Sequence, residues 1–202
     1  MRTKKAEKTK KRIKQGKLTV IGGPMFSGKT TKLLTIYNIL KKLGKVVLCF
    51  KADPDINGGI GHTDSHDKRS LPVIFISPNQ PESILRFVSK KDVQVVIIDE
   101  VNFFPKAKMK KVIKKLLSWG ISVYANGLIR DYRKKEFGAT QELMKIANEK
   151  IKLFAVCDKC GDRAAHTERV GGGTAQIISD RNAKYIASCT RCHLVYKKTK
   201  KK

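Results

Sequence analysis

Acidic residues are scarce in this chain of 202 residues: 17 Asp and Glu stand against 44 Lys and Arg, a net charge of +27. So strong a basic excess points to anionic partners or to solvated tails, and it carries no information about fold. Long apolar runs are also missing. No stretch approaches a membrane span, and the basic N-terminus lacks the apolar core of a secretory signal and the pattern of a transit peptide. A cytoplasmic protein with no membrane partner is therefore expected. Cysteine is sparse at five residues, and in a cytoplasmic setting these are not expected to form disulfides.

Much of the charge is terminal. Residues 1–17 hold nine basic residues and one acid, and residues 197–202 hold five Lys. No base-reading aromatic motif accompanies them. Disordered basic tails at 1–16 and 197–202 are expected, with nucleic acid bound only non-specifically.

What is present begins at Leu18. The apolar run Leu18 to Ile21 leads into Gly23-Pro24-Met25-Phe26-Ser27-Gly28-Lys29-Thr30, which fits the P-loop pattern G-x-x-x-x-G-K-[ST]. Chance would produce such a match about once in a hundred chains of this length. The glycines let consecutive N–H groups face inward around a triphosphate, Lys29 adds charge at the β and γ groups, and Thr30 offers a hydroxyl to Mg²⁺. A helix over about 28–43 turns its N-terminus toward the same anion, with Leu33, Ile36, Tyr37, Leu40 and Leu43 as its apolar face.

Further β-branched runs at Val46 to Phe50, Val73 to Ile76, Val93 to Ile98 and Ile121 to Ala125 alternate with helical patterns. The alternation predicts an α/β fold, a P-loop NTPase core with a mostly parallel, helix-covered sheet over 17–150. Between Phe104 and Trp119, Met109, Val112, Ile113, Leu116 and Leu117 form one stripe of a helix that Pro105 starts and Gly120 stops, with a solvated lysine face. Residues 52–70 show no periodicity and read as a long mobile loop, with His62 and His66 at the surface.

The strand Val93 to Ile98 ends in Asp99 and Glu100. Ligands of open α/β sheets bind beyond the carboxyl ends of strands, so this acid pair belongs beside the P-loop. Asp99 suits Mg²⁺, and Glu100 is then free to act as a base. After residue 150 the pattern changes to short β segments. Cys157-x-x-Cys160 and Cys189-x-x-Cys192, separated by 28 residues, can present four thiolates to a tetrahedral Zn²⁺. A redox pair fits less well, and Cys49, in an apolar strand, reads as inert core.

From Lys17 to Tyr196 these residues resemble the type II, zinc-containing, thymidine kinases. The carriers are Gly23-Pro-Met-Phe-Ser-Gly-Lys-Thr-Thr31, Asp99-Glu-Val-Asn-Phe-Phe104, Gly127-Leu-Ile-Arg-Asp-Tyr-Arg133 with Phe137-Gly138, and the segment from Ala155 through Cys192. The resemblance implies a C-terminal zinc-ribbon domain with a lasso loop over 151–196, and transfer of the γ-phosphate of ATP to the 5′-hydroxyl of thymidine, giving dTMP. It implies ATP contacts from Gly23 through Thr30 and from Asp99, Glu100, Val101 and Asn102, with Glu100 taking the hydroxyl proton. Arg133 or Arg169 would add transition-state charge. Tyr132 would stack on thymine, with Met25, Leu128, Phe137, Thr167, Ile178 and Tyr185 also around the nucleoside. A homotetramer and dTTP as feedback inhibitor follow from the same resemblance. The chain departs from the family pattern at Asn57, Asn102, Tyr132 and Asp180-Arg181. Two other classes are compatible with the motifs: a nucleic-acid-stimulated P-loop ATPase and a basic zinc-ribbon nucleic-acid-binding protein.

Overall fold

Val95, Val96, Ile97 and Ile98 offer no polar side to water, so the strand they form must be covered on both faces, and it is. The computed structural model describes residues 15–52, 59–64, 70–89, 92–171, 175–177 and 183–193. Residues 1–14 of the N-terminal tail, the C-terminal tail, the Asn57 departure, His66, Ile178 and Asp180-Arg181 lie outside the described residues, while Gly16 is buried and its N–H donates to the Leu117 carbonyl at 3.0 Å. Seven strands form the main sheet: β1 (Leu18–Gly22), β2 (Val47–Ala52), β3 (Gly59–Asp64), β4 (Ser70–Ile76), β5 (Val95–Asp99), β6 (Ser122–Gly127) and β7 (Glu149–Lys152). Their order across the sheet is β3, β4, β2, β5, β6, β1, β7, and every neighbouring pair is parallel except β3 with β4. The mostly parallel sheet is thus borne out.

Successive side chains of a strand serve opposite faces. Val96 and Ile98 pack with Ile84 of α2 (Ser83–Val88), Met109 and Ile113 of α3 (Lys106–Ser118) and Leu143 of α4 (Thr140–Ile146). Ile97 packs instead with Ile21, Cys49 and the Leu33-Leu34 pair of α1 (Lys29–Lys42). Cys49 is buried and its thiol is pushed up to about 12 by that burial and by Asp99, which agrees with an inert core residue.

Two expectations need correction. Residues 52–70 are not one long loop, because Gly59–Asp64 pairs antiparallel with β4 as an edge strand. Leu43 does not extend the buried face of α1; it caps the helix and is 67% exposed, and Leu34 is buried in its stead. The last strand of the main sheet, β7, pairs parallel with β1 through Lys152. Beyond it, β8 (Ala155–Val156) pairs with β9 (Arg163–Ala164), and β10 (His166–Arg169) with β11 (Tyr185–Ser188). The core of this module is Ala155, Cys157, Ala164, Ala187 and Cys189. So little apolar volume cannot hold such a segment by burial alone, which is the situation in which a structural metal is used.

Candidate active site

The carboxyl ends of β2, β5, β6 and β1 lie side by side, and the expected site segments leave from them. After β1, Gly28 caps α1 in a left-handed conformation (φ 76°, ψ 21°) that glycine adopts freely. No side chain caps the first turn of α1 and no acid lies in it, so its N–H groups are left for an anion. Lys29 Nζ donates to the Pro24 carbonyl at 2.6 Å, and the Ser27 hydroxyl donates to the same oxygen at 2.8 Å. Burial lowers the Lys29 ammonium to about 8 despite the opposing pull of Asp99 and Glu100. Phosphate groups beside it would favour the charged form again.

Asp99 closes β5 and is buried, with the Thr30 hydroxyl 3.5 Å from its Oδ2. Burial raises its carboxyl, against the lowering effect of Lys51 and Lys29. The oxygen pair Thr30 and Asp99, next to a phosphate cradle, has the hard-donor chemistry of a Mg²⁺ site. Glu100 follows in a left-handed conformation (φ 57°), a strain of about 1–3 kcal/mol for a non-glycine residue. Its N–H donates to Asn126 Oδ1 at 3.0 Å, and Lys51 Nζ lies 3.5 Å from its Oε1. Burial, together with Asp99, raises its carboxyl.

Val101 and Asn102, expected at the ATP site, follow Glu100 directly. They form a 3₁₀ turn whose side chains face inward, Val101 into the core and Asn102 with its Oδ1 accepting the Leu128 N–H at 2.9 Å. Asn102 thereby joins the acid-pair segment to the one that follows β6. In that second segment the buried Asp131 accepts the N–H groups of Arg133 and Lys135 and fixes the turn that carries Tyr132. Phe137 is buried edge-on against Phe103, with ring centroids 5.5 Å apart.

The C-terminal module reaches this mouth through β10. Thr167 Oγ1 accepts the Met25 N–H at 2.9 Å, tying the module to the P-loop. Arg169 stacks over Tyr132 at 3.8 Å and donates to the Tyr185 hydroxyl at 3.1 Å. Met25 and Thr167 thus meet, as do Tyr132 and Tyr185 through Arg169, while Leu128 and Phe137 join through the Asn102 turn. Of the two arginines read as transition-state cations, Arg133 lies 3.4 Å from Asp131 and Arg169 donates to the carbonyls of Ala175 and Gln176.

The Sγ atoms of Cys157, Cys160, Cys189 and Cys192 all lie within 4.8 Å of one another, with Cys160 and Cys189 3.7 Å apart. A tetrahedron of Zn–S bonds has edges of about 3.8 Å, so the group could hold a metal ion. Burial works to raise the Cys157 thiol, yet backbone hydrogen bonds from Cys189, Lys159 and Cys160 outweigh it and bring it to about 6. Cys192, hydrogen-bonded to Cys160 and Cys189, is pushed up to about 12. No helix among the described residues is long and apolar enough to cross a membrane.

The family model "Thymidine kinase" matches residues 16–193. The chain belongs to the thymidine kinase family. A thymidine kinase of Pseudothermotoga lettingae is 34% identical over 179 residues, covering 88% of this chain and 95% of its own. One from Bacteroides thetaiotaomicron is 35% identical over 181 residues, 90% of this chain and 88% of its own. A DNA replication initiation factor of known structure aligns over 68% of this chain and 40% of its own, at 14% identity and a TM-score of 0.42, a level that says nothing of function.

Within this family member, sequence reasoning missed Lys51, Asn126, Asp131 as a turn former, and Gln176. Lys51 and Asn126 each follow an apolar run that the sequence marks as a strand, so the rule that ligands gather at carboxyl ends is the signal that points to them.

Proposed function

We propose that the protein transfers the γ-phosphate of ATP to the 5′-hydroxyl of thymidine, giving dTMP and ADP, as a step of deoxynucleotide salvage. The observation that carries this reading is the convergence of Lys29, Asp99 and Glu100 at one row of strand ends, with Tyr132 and Tyr185 held alongside by β10. The N–H groups of the P-loop and Lys29 grip the triphosphate. Thr30 and Asp99 hold Mg²⁺, which when bound neutralises charge on the β and γ oxygens. Glu100 accepts the 5′-hydroxyl proton as that oxygen attacks phosphorus and ADP leaves. Tyr132 stacks on the base, and Met25, Leu128, Phe137, Thr167, Ile178 and Tyr185 enclose the nucleoside.

The four cysteines hold one structural Zn²⁺, a fit supported by the donor set, its spacing and the small alanine-cysteine core. Family membership supports the remaining parts of the proposal: a cytoplasmic homotetramer inhibited by dTTP, with the P-loop domain ahead of a zinc and lasso domain. Radiolabelled phosphate transfer across a panel of nucleosides tests the activity. Labelled dTMP is the expected product. ATP hydrolysis that needs nucleic acid and leaves every nucleoside unlabelled would overturn it in favour of an ATPase.

A further inference from the structure

Thr167 and Arg169 stand two residues apart on β10, so their side chains leave the same face of the strand. The first reaches the P-loop through Met25. The second, 8% exposed, spends its guanidinium on several partners at once. Nε donates to the hydroxyl of Tyr185, its cross-strand neighbour, at 3.1 Å; Nη1 donates to the Ala175 carbonyl at 2.7 Å; Nη2 donates to the Gln176 carbonyl at 3.2 Å. The guanidinium carbon lies over the Tyr132 ring, 3.8 Å from its centroid. Gln176 is held from its other side as well, its Nε2 donating to Asp131 Oδ2 at 2.8 Å and to the Glu136 carbonyl at 3.3 Å. Asp131 is the residue that fixes the Tyr132 turn.

We propose that Arg169 is a positioning residue for the nucleoside, setting Tyr132, Tyr185 and the backbone at 175–176 as one unit before substrate arrives. This rests on the reading that Tyr132 and Tyr185 flank the nucleoside. Nε, Nη1 and Nη2 each donate to a protein acceptor, so Arg169 braces Tyr185 and the 175–176 backbone, a role distinct from supplying transition-state charge. Arginine is the side chain the arrangement requires. Its planar fork serves three acceptors in fixed directions while its face stacks on a ring, whereas a lysine ammonium is a single point charge with no face. Pre-setting the aromatic pair lowers the conformational freedom that substrate binding must remove. Because Thr167 shares the strand, the phosphate loop and the nucleoside pocket are positioned by one rigid element.

The test compares wild type, Arg169→Lys and Gln176→Leu as full-length, zinc-loaded protein. Thymidine and ATP affinities are measured by calorimetry, alongside KM and kcat. Arg169→Lys is expected to weaken thymidine binding and raise its KM by roughly 10- to 100-fold, with ATP affinity retained and the loss falling on KM rather than kcat. Gln176→Leu, which leaves Arg169 in place, should move thymidine affinity in the same direction by about 3- to 10-fold. A fall in kcat with thymidine affinity unchanged would make Arg169 a transition-state cation and overturn the proposal. Equal weakening of both ligands with loss of zinc would reduce Arg169 to a fold support. Wild type that binds ATP but no nucleoside would overturn the underlying functional reading and this proposal with it.

Discussion

Glu100 is held in a place few carboxylates tolerate: left-handed backbone, Asp99 beside it, and Lys51 as the cation 3.5 Å away. A base must be ionised to accept a proton, and burial with Asp99 raises this carboxyl while Lys51 lowers it. The acid limb of kcat should therefore lie above the usual carboxylate range. Lys51→Met removes the lowering influence, so the carboxyl rises further and the acid limb moves to higher pH, with the plateau rate less affected. A pH profile of kcat checks this; a limb that stays in place or moves to lower pH would remove Lys51 from the site. Lys29, Thr30 and Asp99 are legible in the sequence because each belongs to a spaced motif. Lys51 and Asn126 belong to no spaced motif, and only their place at the ends of apolar runs marks them. Their partner depends on β2, β5 and β6 being neighbours, which local pattern does not state.

At the scale of elements, the joint between the acid-pair segment and the segment after β6 is built tightly. A Cβ on Gly138, which has φ 52°, would lie 1.8 Å from the Asn102 carbonyl oxygen. Gly138→Ala combines a forbidden contact with an unfavourable backbone, and should cost about 3 kcal/mol, lowering the thermal midpoint by roughly 10 °C. Calorimetric melting checks it, and a midpoint within a degree or two of wild type would mean that the turn relaxes without cost. The elements that escaped sequence reading are edge strands. β3 contains Gly59 and Gly61, and β7, Glu149-Lys150-Ile151-Lys152, has one apolar residue. A strand at the rim need not bury both faces, so it lacks the continuous run that marks Val95 to Ile98. Helix α1 was legible in extent, but its buried face was set by which residues meet the sheet, and the helix end at Leu43 meets none of it.

Across the whole molecule, the C-terminal module has too small an apolar core to persist unaided, yet it supplies Thr167, Arg169 and Tyr185 to the mouth of the sheet. Cys157 and Cys160 precede that contribution and Cys189 and Cys192 follow it. An ion held by all four thiolates would fix both ends of the intervening segment. Cys189→Ser is expected to lower zinc below one ion per chain and to weaken thymidine binding more than ATP binding, because the P-loop is anchored between β1 and α1 and meets the module through the Thr167–Met25 bond. Atomic absorption and separate titrations of the two ligands measure this. Equal losses for both ligands would restrict the metal to supporting the fold.

The central claim is that Glu100, at the end of β5, takes the proton from thymidine while the P-loop presents the γ-phosphate. Single-turnover transfer from labelled ATP to thymidine by wild type and by Glu100→Gln tests it most directly, since the substitution keeps shape and hydrogen bonding and removes only the base. The expected result is a rate lower by about 10² or more with both substrates still bound at near wild-type affinity. Transfer at the wild-type rate in Glu100→Gln would contradict the account.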